Sequence, residues 1–158
     1  MCATCYFIKE QYFIDHSDYQ KMLDPGNTKK QSSRSYLCIK ICSDGKDFYI
    51  PLRNNLGNEI RPYGRIGHAL PSQKRENAGI DYRYALIVDE KEYIEKPEFQ
   101  KLPKTKMKKI ISDYEIIKKE FSQYLNGFKK MLRKNRISRS PLYRESSLIN
   151  FKDQLLII

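Results

Sequence analysis

The chain has 158 residues, 40% of them hydrophobic, with 12 Tyr and 7 Phe, enough apolar matter for one domain with a real core and too much for a disordered protein. Its formal charge is +11, from 30 basic and 19 acidic residues, which points to a polyanionic partner first. No run approaches the roughly 18 consecutive apolar residues of a membrane span, and the start, Met1 to Glu10, lacks the basic and long apolar regions of a signal peptide. A cytoplasmic protein with reduced cysteines is expected.

Residues 5–9 read as a short strand, and Tyr12 to Leu23 place apolar residues at helical spacing before Pro25-Gly26 stops the helix. After a polar run from Asn27 to Ser33, Tyr36 to Cys42 and Asp47 to Leu52 read as a β-hairpin joined through Ser43-Asp44-Gly45-Lys46, because Asp-Gly between β-rich runs favours a hairpin turn. At the open end, antiparallel pairing brings Arg34, Arg53, Asn54 and Asn55 into one neighbourhood, a place suited to a phosphate.

The stretch from Arg53 to Gly79 carries Gly57, Gly64, Gly67, Pro62 and Pro71, a spacing that leaves no room for a regular element of useful length. Loops this long inside compact domains are functional or disordered, and Arg53, Arg61, Arg65, Lys74, Arg75 and His68 fit the functional reading. Gly79 to Val88 ends in the apolar run of a buried central strand. Asp89 to Glu98 holds five acids against two lysines and reads as a solvated strand exit.

From Lys104 onward, Met107, Ile110, Ile111, Tyr114, Ile117, Phe121, Tyr124, Phe128 and Met131 recur at three- and four-residue intervals. They form one apolar stripe on a long helix, or on two helices broken near Asn126-Gly127. Residues 104–139 hold 12 Lys and Arg against three acids, a net +9. The other faces carry Lys108, Lys109, Lys118, Lys119, Lys129, Lys130, Arg133, Lys134, Arg136 and Arg139. With so few acids to form i,i+4 pairs such a face repels itself, so an anionic ligand explains it better than solubility alone. The tail from Ser146 to Ile158 reads as a last amphipathic element. One domain over residues 1–158 is expected, with a sheet-rich catalytic core (1–103) and a basic helical region (104–158).

The chemistry open to these residues is narrow. There is no Walker loop, Rossmann glycine pattern or His-Glu-x-x-His, and His16 and His68 are the only histidines for a serine triad. Cys2, Cys5, Cys38 and Cys42 offer thiolates, but Cys38 and Cys42 fall four apart on one strand, too far for a zinc knuckle. The acids gather only at Asp89 to Glu98, so neither a metal site nor a cofactor is expected. Cation-assisted cleavage of RNA remains, with the substrate's own 2′-hydroxyl as nucleophile. That reaction needs a proton acceptor, a proton donor and fixed positive charge at the pentavalent phosphate. Arg34 and Arg53 supply charge in this reading, Asn54 and Asn55 orient phosphate oxygens, and His68 or a hydroxyl such as Ser35 or Tyr36 moves protons. A non-catalytic RNA-binding protein is the alternative, since the basic helix would suffice for it, and a basic protein–protein adaptor is a weaker third.

At these residues the chain resembles the toxins of type III toxin-antitoxin systems, the ToxN/AbiQ superfamily with its CptN and TenpN branches. The resemblance is carried by the short first strand followed by Tyr12-Phe13 and Asp18-Tyr19, by Arg34 just before a strand, by Ile50-Pro51-Leu52 followed by Arg53-Asn54-Asn55, and by Gly79-Ile80-Asp81 opening the next strand. The Pro-Leu-Arg-Asn-Asn run is closer to CptN and TenpN than to ToxN, where small hydroxyl residues and a lysine follow Pro-Leu. The resemblance implies an α+β fold with a strongly twisted antiparallel sheet similar to MazF/Kid-like toxins, flanking helices and metal-independent endoribonuclease activity on cellular RNA. It also implies an antitoxin RNA that the enzyme processes into pseudoknots, which bind back in basic grooves and often close protein and RNA into a cyclic assembly. Arg34, Arg53 and Asn54 match its active-site positions, while Asn55, His68 and Asp81 are added from local chemistry. Lys74, Arg75 and the ten helix-region cations would grip the RNA backbone.

Overall fold

A two-residue turn sets the centre of the molecule. Asp44 and Gly45 have φ of 54° and 74°, the left-handed pair whose twist matches two antiparallel strands, and Ser43 pairs with Lys46 across it. The strands so joined, β2 (Leu37–Ser43) and β3 (Lys46–Arg53), form the expected hairpin, each reaching one residue closer to the turn. In the computed structural model, which describes residues 5–22, 37–57, 66–96 and 102–156, five further strands build on it. They are β1 (Cys5–Ile8), β4 (Gly67–Ala69), β5 (Gly79–Asp81), β6 (Leu86–Ile87) and β7 (Ile94–Glu95). The sheet runs β4-β5-β3-β2-β1-β7, with β6 also on β3, and every pairing is antiparallel. With helices α1 (Glu10–Asp15), α2 (Lys104–Arg133) and α3 (Lys152–Leu155), the fold is α+β.

The run from Gly79 to Val88 is not one central strand. A 3-10 turn at Tyr82–Tyr84 divides it, begun by Asp81, whose side chain accepts from the Arg83 backbone N–H. Short polar side chains offer the backbone such a partner in place of the next ladder bond. The two pieces then attach to different parts of β3, β5 opposite Leu52 and Arg53 and β6 opposite Phe48 and Tyr49. Strand β4 lies where no regular element was expected. Gly67 and Gly79 permit it: a Cβ on Gly67 would strike the Ile80 carbonyl oxygen, and one on Gly79 the His68 carbonyl oxygen. Three residues are too few to show a period.

Helix α1 stops at Asp15, well short of the expected Leu23. Gln20 donates its backbone N–H to the Asn150 side-chain oxygen (2.8 Å) and accepts on its carbonyl from the Asn150 amide (2.8 Å), so its backbone is committed to the tail, and Tyr19 packs edge-on against Phe151 at 5.5 Å.

Helix α2 is unbroken over 30 residues. At Gly127 the Tyr143 hydroxyl fills the space a Cβ would need, and that ring packs on Tyr124 and Phe128 at 5.0 and 5.8 Å. The glycine admits a contact instead of breaking the helix. Ile110, Ile117, Phe121, Tyr124, Leu125 and Phe128 are buried, and Phe121 meets Phe48 of β3 at 5.0 Å. Burying side chains of this size contributes about 2 kcal/mol each, which fastens a helix whose other faces repel themselves. Ile111, expected in the stripe, is 51% exposed. The tail docks as a 3-10 segment (Ser147–Phe151) and α3, burying Leu148, Phe151 and Leu155. Among the described residues no helix is long and apolar enough to cross a membrane.

Candidate functional site

Register determines what meets at the far end of β3. Arg53 pairs with Gly79, and Asp81 lies two residues on along β5, so both side chains leave the same face. Asp81 is fully buried and accepts four hydrogen bonds: from Arg53 Nη1 (3.0 Å), Arg83 Nε (3.0 Å), Arg83 Nη2 (2.9 Å) and the Arg83 backbone N–H (3.1 Å). Arg83 also donates to the Leu56 carbonyl at 3.3 Å. Tyr84 lies against both guanidinium groups, with its ring centre 5.2 Å from Arg53 Cζ and 5.6 Å from Arg83 Cζ. Burial first, then the charge of Asp81, pushes the Tyr84 phenol above its ordinary pKa, against an opposing pull from the two arginines. Asp81 thus ties both guanidiniums to one carboxylate. The Arg53 side chain is 30% exposed and that of Arg83 11%, so Arg53 is the one presented to solvent.

The neighbours of Arg53 divide in role. Asn54 is exposed and accessible to a ligand. Asn55 is exposed too, but its side-chain oxygen accepts from the Gly57 N–H at 2.8 Å, an Asx turn that shapes its own loop. Asp81, expected among the chemistry-bearing groups, is the buried anchor of two arginines. Arg34, with Ser35 and Tyr36, lies outside the described residues, as do Arg61 and Arg65.

His68 lies on the opposite face of the β4-β5-β3 ribbon. It pairs with Ile80 in β5 and turns under α2, 8% exposed. Its Nε2 is 2.9 Å from Asp113 Oδ2 and its Nδ1 3.0 Å from Glu120 Oε1. Tyr82 donates its hydroxyl to the same Glu120 oxygen at 2.8 Å, and Lys109 reaches Asp113 at 3.1 Å. The structure therefore does not bring His68, to which the sequence reading assigns a proton-moving role, together with Arg53 and Asp81; it sets the ring as a polar bridge between sheet and helix. Burial raises the Asp113 pKa, but hydrogen bonds from His68 and Lys109 outweigh it and leave the net below the ordinary value. The two carboxylates face opposite ring nitrogens and do not converge. Among the described residues no three or more His, Cys, Asp or Glu are grouped to hold a metal ion. Cys5 and Cys38 are buried and Cys42 is exposed, with burial pushing the Cys5 thiol to about 11.

The basic helix presents its cations outward. Lys108, Lys109, Lys118, Lys119, Lys130, Arg133, Lys134, Arg136 and Arg139 are all at least partly exposed. Lys108, Lys119 and Lys130 recur every 11 residues, close to three turns, and so form one row with steps of about 16 Å. Lys109 pairs with Asp113, and Lys129 with Asp44 at the hairpin turn, which ties that lysine down. Lys74 and Arg75 are exposed on a tight loop where Ser72 and Arg75 exchange backbone hydrogen bonds of 3.1 Å.

Sequence reasoning missed Arg83, Tyr84, Asp113 and Glu120. Asp81-x-Arg83 is a local capping pattern, visible only if the apolar run is expected to break. Asp113 and Glu120 were the clearer signal: both fall at three- and four-residue steps among Ile110, Ile117, Phe121 and Tyr124, and an acid on a buried face needs a partner.

No family model and no curated protein matches the chain. Two solved structures are similar to it. The chain of "New insights into the mechanism of bacterial Type III toxin-antitoxin systems: selective toxin inhibition by a non-coding RNA pseudoknot" aligns over 98% of this chain and 76% of its own, with 10% identity and a TM-score of 0.46. The chain of "A processed non-coding RNA regulates a bacterial antiviral system" aligns over 91% of this chain and 96% of its own, with 14% identity and a TM-score of 0.53. With this second protein the chain shares its fold, nearly end to end.

Proposed function

We propose that the chain is a metal-independent endoribonuclease, the toxin of a type III toxin-antitoxin system, which processes its own repetitive antitoxin RNA and is then inhibited by the resulting pseudoknot. The observation that carries this reading is the Arg53–Asp81–Arg83 cluster: a guanidinium held by a buried carboxylate and partly exposed at the end of a strand. It stands on a fold shared with a protein whose structure concerns a processed non-coding RNA that regulates a bacterial antiviral system. In this reading Arg53 stabilises the pentavalent phosphate as the 2′-hydroxyl attacks, leaving a 2′,3′-cyclic phosphate and a free 5′-hydroxyl. Arg34 and Asn54 hold the remaining phosphate oxygens. Asp81 and Arg83 are positioning residues, and Asn55 and His68 maintain the scaffold. Proton transfer falls to the hydroxyls that the sequence sets beside Arg34, those of Ser35 and Tyr36. The outward lysines of α2 grip the antitoxin backbone, in a cyclic protein–RNA assembly.

The test is to incubate the purified chain with single-stranded RNA in EDTA. Cyclic-phosphate and 5′-hydroxyl ends that vanish in Arg53→Ala, with the variant still folded by circular dichroism, are the expected result. RNA that stays intact in a retarded complex would instead make the protein a non-catalytic RNA binder.

A further inference from the structure

Past the last turn of α2 the chain builds a cleft that the Arg53 site does not use. Lys134 closes the helix and Asn135 takes the left-handed conformation at φ 54°, which asparagine adopts more readily than most residues. The Asn135 N–H donates to the Leu132 carbonyl (3.1 Å) and the Arg136 N–H to the Met131 carbonyl (2.9 Å), a Schellman motif that returns Arg136 to the side of Met131. A 3-10 turn over Ile137–Arg139 follows, in which the Arg139 N–H donates to the Arg136 carbonyl at 3.1 Å. With about three residues per turn, Arg136 and Arg139 leave it on one side.

The result is a cleft of about 260 Å³, open to solvent and lined by Met131, Arg136, Arg139, Ser140 and Pro141. Among the described residues neither guanidinium has an acidic partner, and Glu145, five residues on from Ser140 in sequence, pairs with Lys21 at 3.3 Å. Ser140 is only 7% exposed, yet among the described residues its hydroxyl has no hydrogen-bond partner. Buried polar groups nearly always have one, so an orphaned hydroxyl in the wall of a cleft marks where a ligand atom completes it. A simple anion would use the arginines and leave Met131 and Pro141 idle, whereas an apolar ligand would do the reverse. A nucleotide uses both.

We propose that this cleft holds one nucleotide of an RNA strand turned out of its stack, the base against Met131 and Pro141, the phosphate between Arg136 and Arg139 with the Ser140 hydroxyl. The proposal rests on the reading of the chain as a protein that acts on RNA, and adds to it a subsite at the C-terminal end of α2. In the test, the full chain, isotope-labelled at methionine methyls and arginine Nε–H groups, is titrated with a five-nucleotide single-stranded RNA, uridine and adenosine 5′-monophosphates, and inorganic phosphate. The RNA is expected to shift Met131, Arg136 and Arg139 together and saturably, with the mononucleotides weaker, and R136A/R139A to weaken the Met131 response roughly tenfold or more in an otherwise folded spectrum. Met131 unmoved by RNA, or a full response to inorganic phosphate, overturns the proposal, as does a response to mononucleotides that RNA does not share. Cleavage by the unmodified chain is read in parallel. Cleavage without a Met131 response overturns the cleft and leaves the Arg53 reading standing, and a Met131 response to RNA without cleavage does the opposite.

Discussion

Replacing Asp81 by alanine removes a buried carboxylate on which two guanidiniums converge. Taking one partner from a buried charge pair costs roughly 3–5 kcal/mol, because the charge left behind is poorly solvated. The two arginines differ here: the Arg53 side chain is already 30% exposed and can turn to water, whereas that of Arg83 is 11% exposed and keeps the Leu56 carbonyl at 3.3 Å as an acceptor. That places the expected loss near the lower end, about 3 kcal/mol, or roughly 6–12 °C in Tm for a domain of this size. Asp81→Asn keeps the shape and an acceptor for the Arg83 N–H, and should cost less, about 1.5–2 kcal/mol. Urea denaturation followed by circular dichroism measures both. Arg83 makes three of the four hydrogen bonds to Asp81, so in an Arg83→Ala background the Asp81→Ala effect should shrink by about 1 kcal/mol or more. An Asp81→Ala protein within about 0.5 kcal/mol of the parent, or strict additivity in the cycle, would refute this account of the site.

The net lowering of the Asp113 pKa means that this carboxylate stabilises the fold above its unfolded value of 3.8, a contribution lost as pH falls through the lower folded value. Asp113→Asn should therefore show a shallower loss of stability below about pH 4 than the parent, and identical slopes in acid denaturation would contradict it. Gly127→Ala gains about 1 kcal/mol of helix propensity but drives a methyl into the Tyr143 hydroxyl. A net loss of about 1–2 kcal/mol is expected, relieved in part by adding Tyr143→Phe; a stabilised single variant in urea would show that the ring yields freely. Replacing Lys118 and Lys119 by alanine should flatten the salt dependence of RNA binding by about one unit of log–log slope for each phosphate that the protein no longer neutralises. An unchanged slope in filter binding would remove that face from the interface.

What was legible in the sequence followed strong local signals. The hairpin declared itself through Asp44-Gly45 between β-rich runs, and α2 through a period sustained over 30 residues. Strands of two and three residues gave no such signal: β4 and β7 exist because partners already in the sheet offer them hydrogen bonds. The early stop of α1 was hidden for a similar reason, since Asn150 lies 130 residues from the Gln20 backbone it holds. At the site, the convergence of Arg53 on Asp81 required the register of β5, and the placing of His68 on the other face required knowing that β4 forms at all. Without β4, residues 53–79 are loop and His68 falls beside Arg53 by proximity in sequence, whereas strand alternation separates them.

The docking of the tail segment Ser147–Phe151 has a consequence for how the protein comes into being. Ser147 donates its hydroxyl to the Ala85 carbonyl at 2.7 Å and lies within reach of the Arg83 carbonyl at 3.3 Å, 64 residues away in sequence. Synthesis runs from the amino end, so the arginine pair emerges well before the serine that steadies the segment carrying it. Contacts of such long range close late and slowly. A ribosome-bound chain therefore passes through a stage in which its guanidinium cluster is exposed but unsupported, and the geometry matures only once the carboxyl-terminal segment has docked.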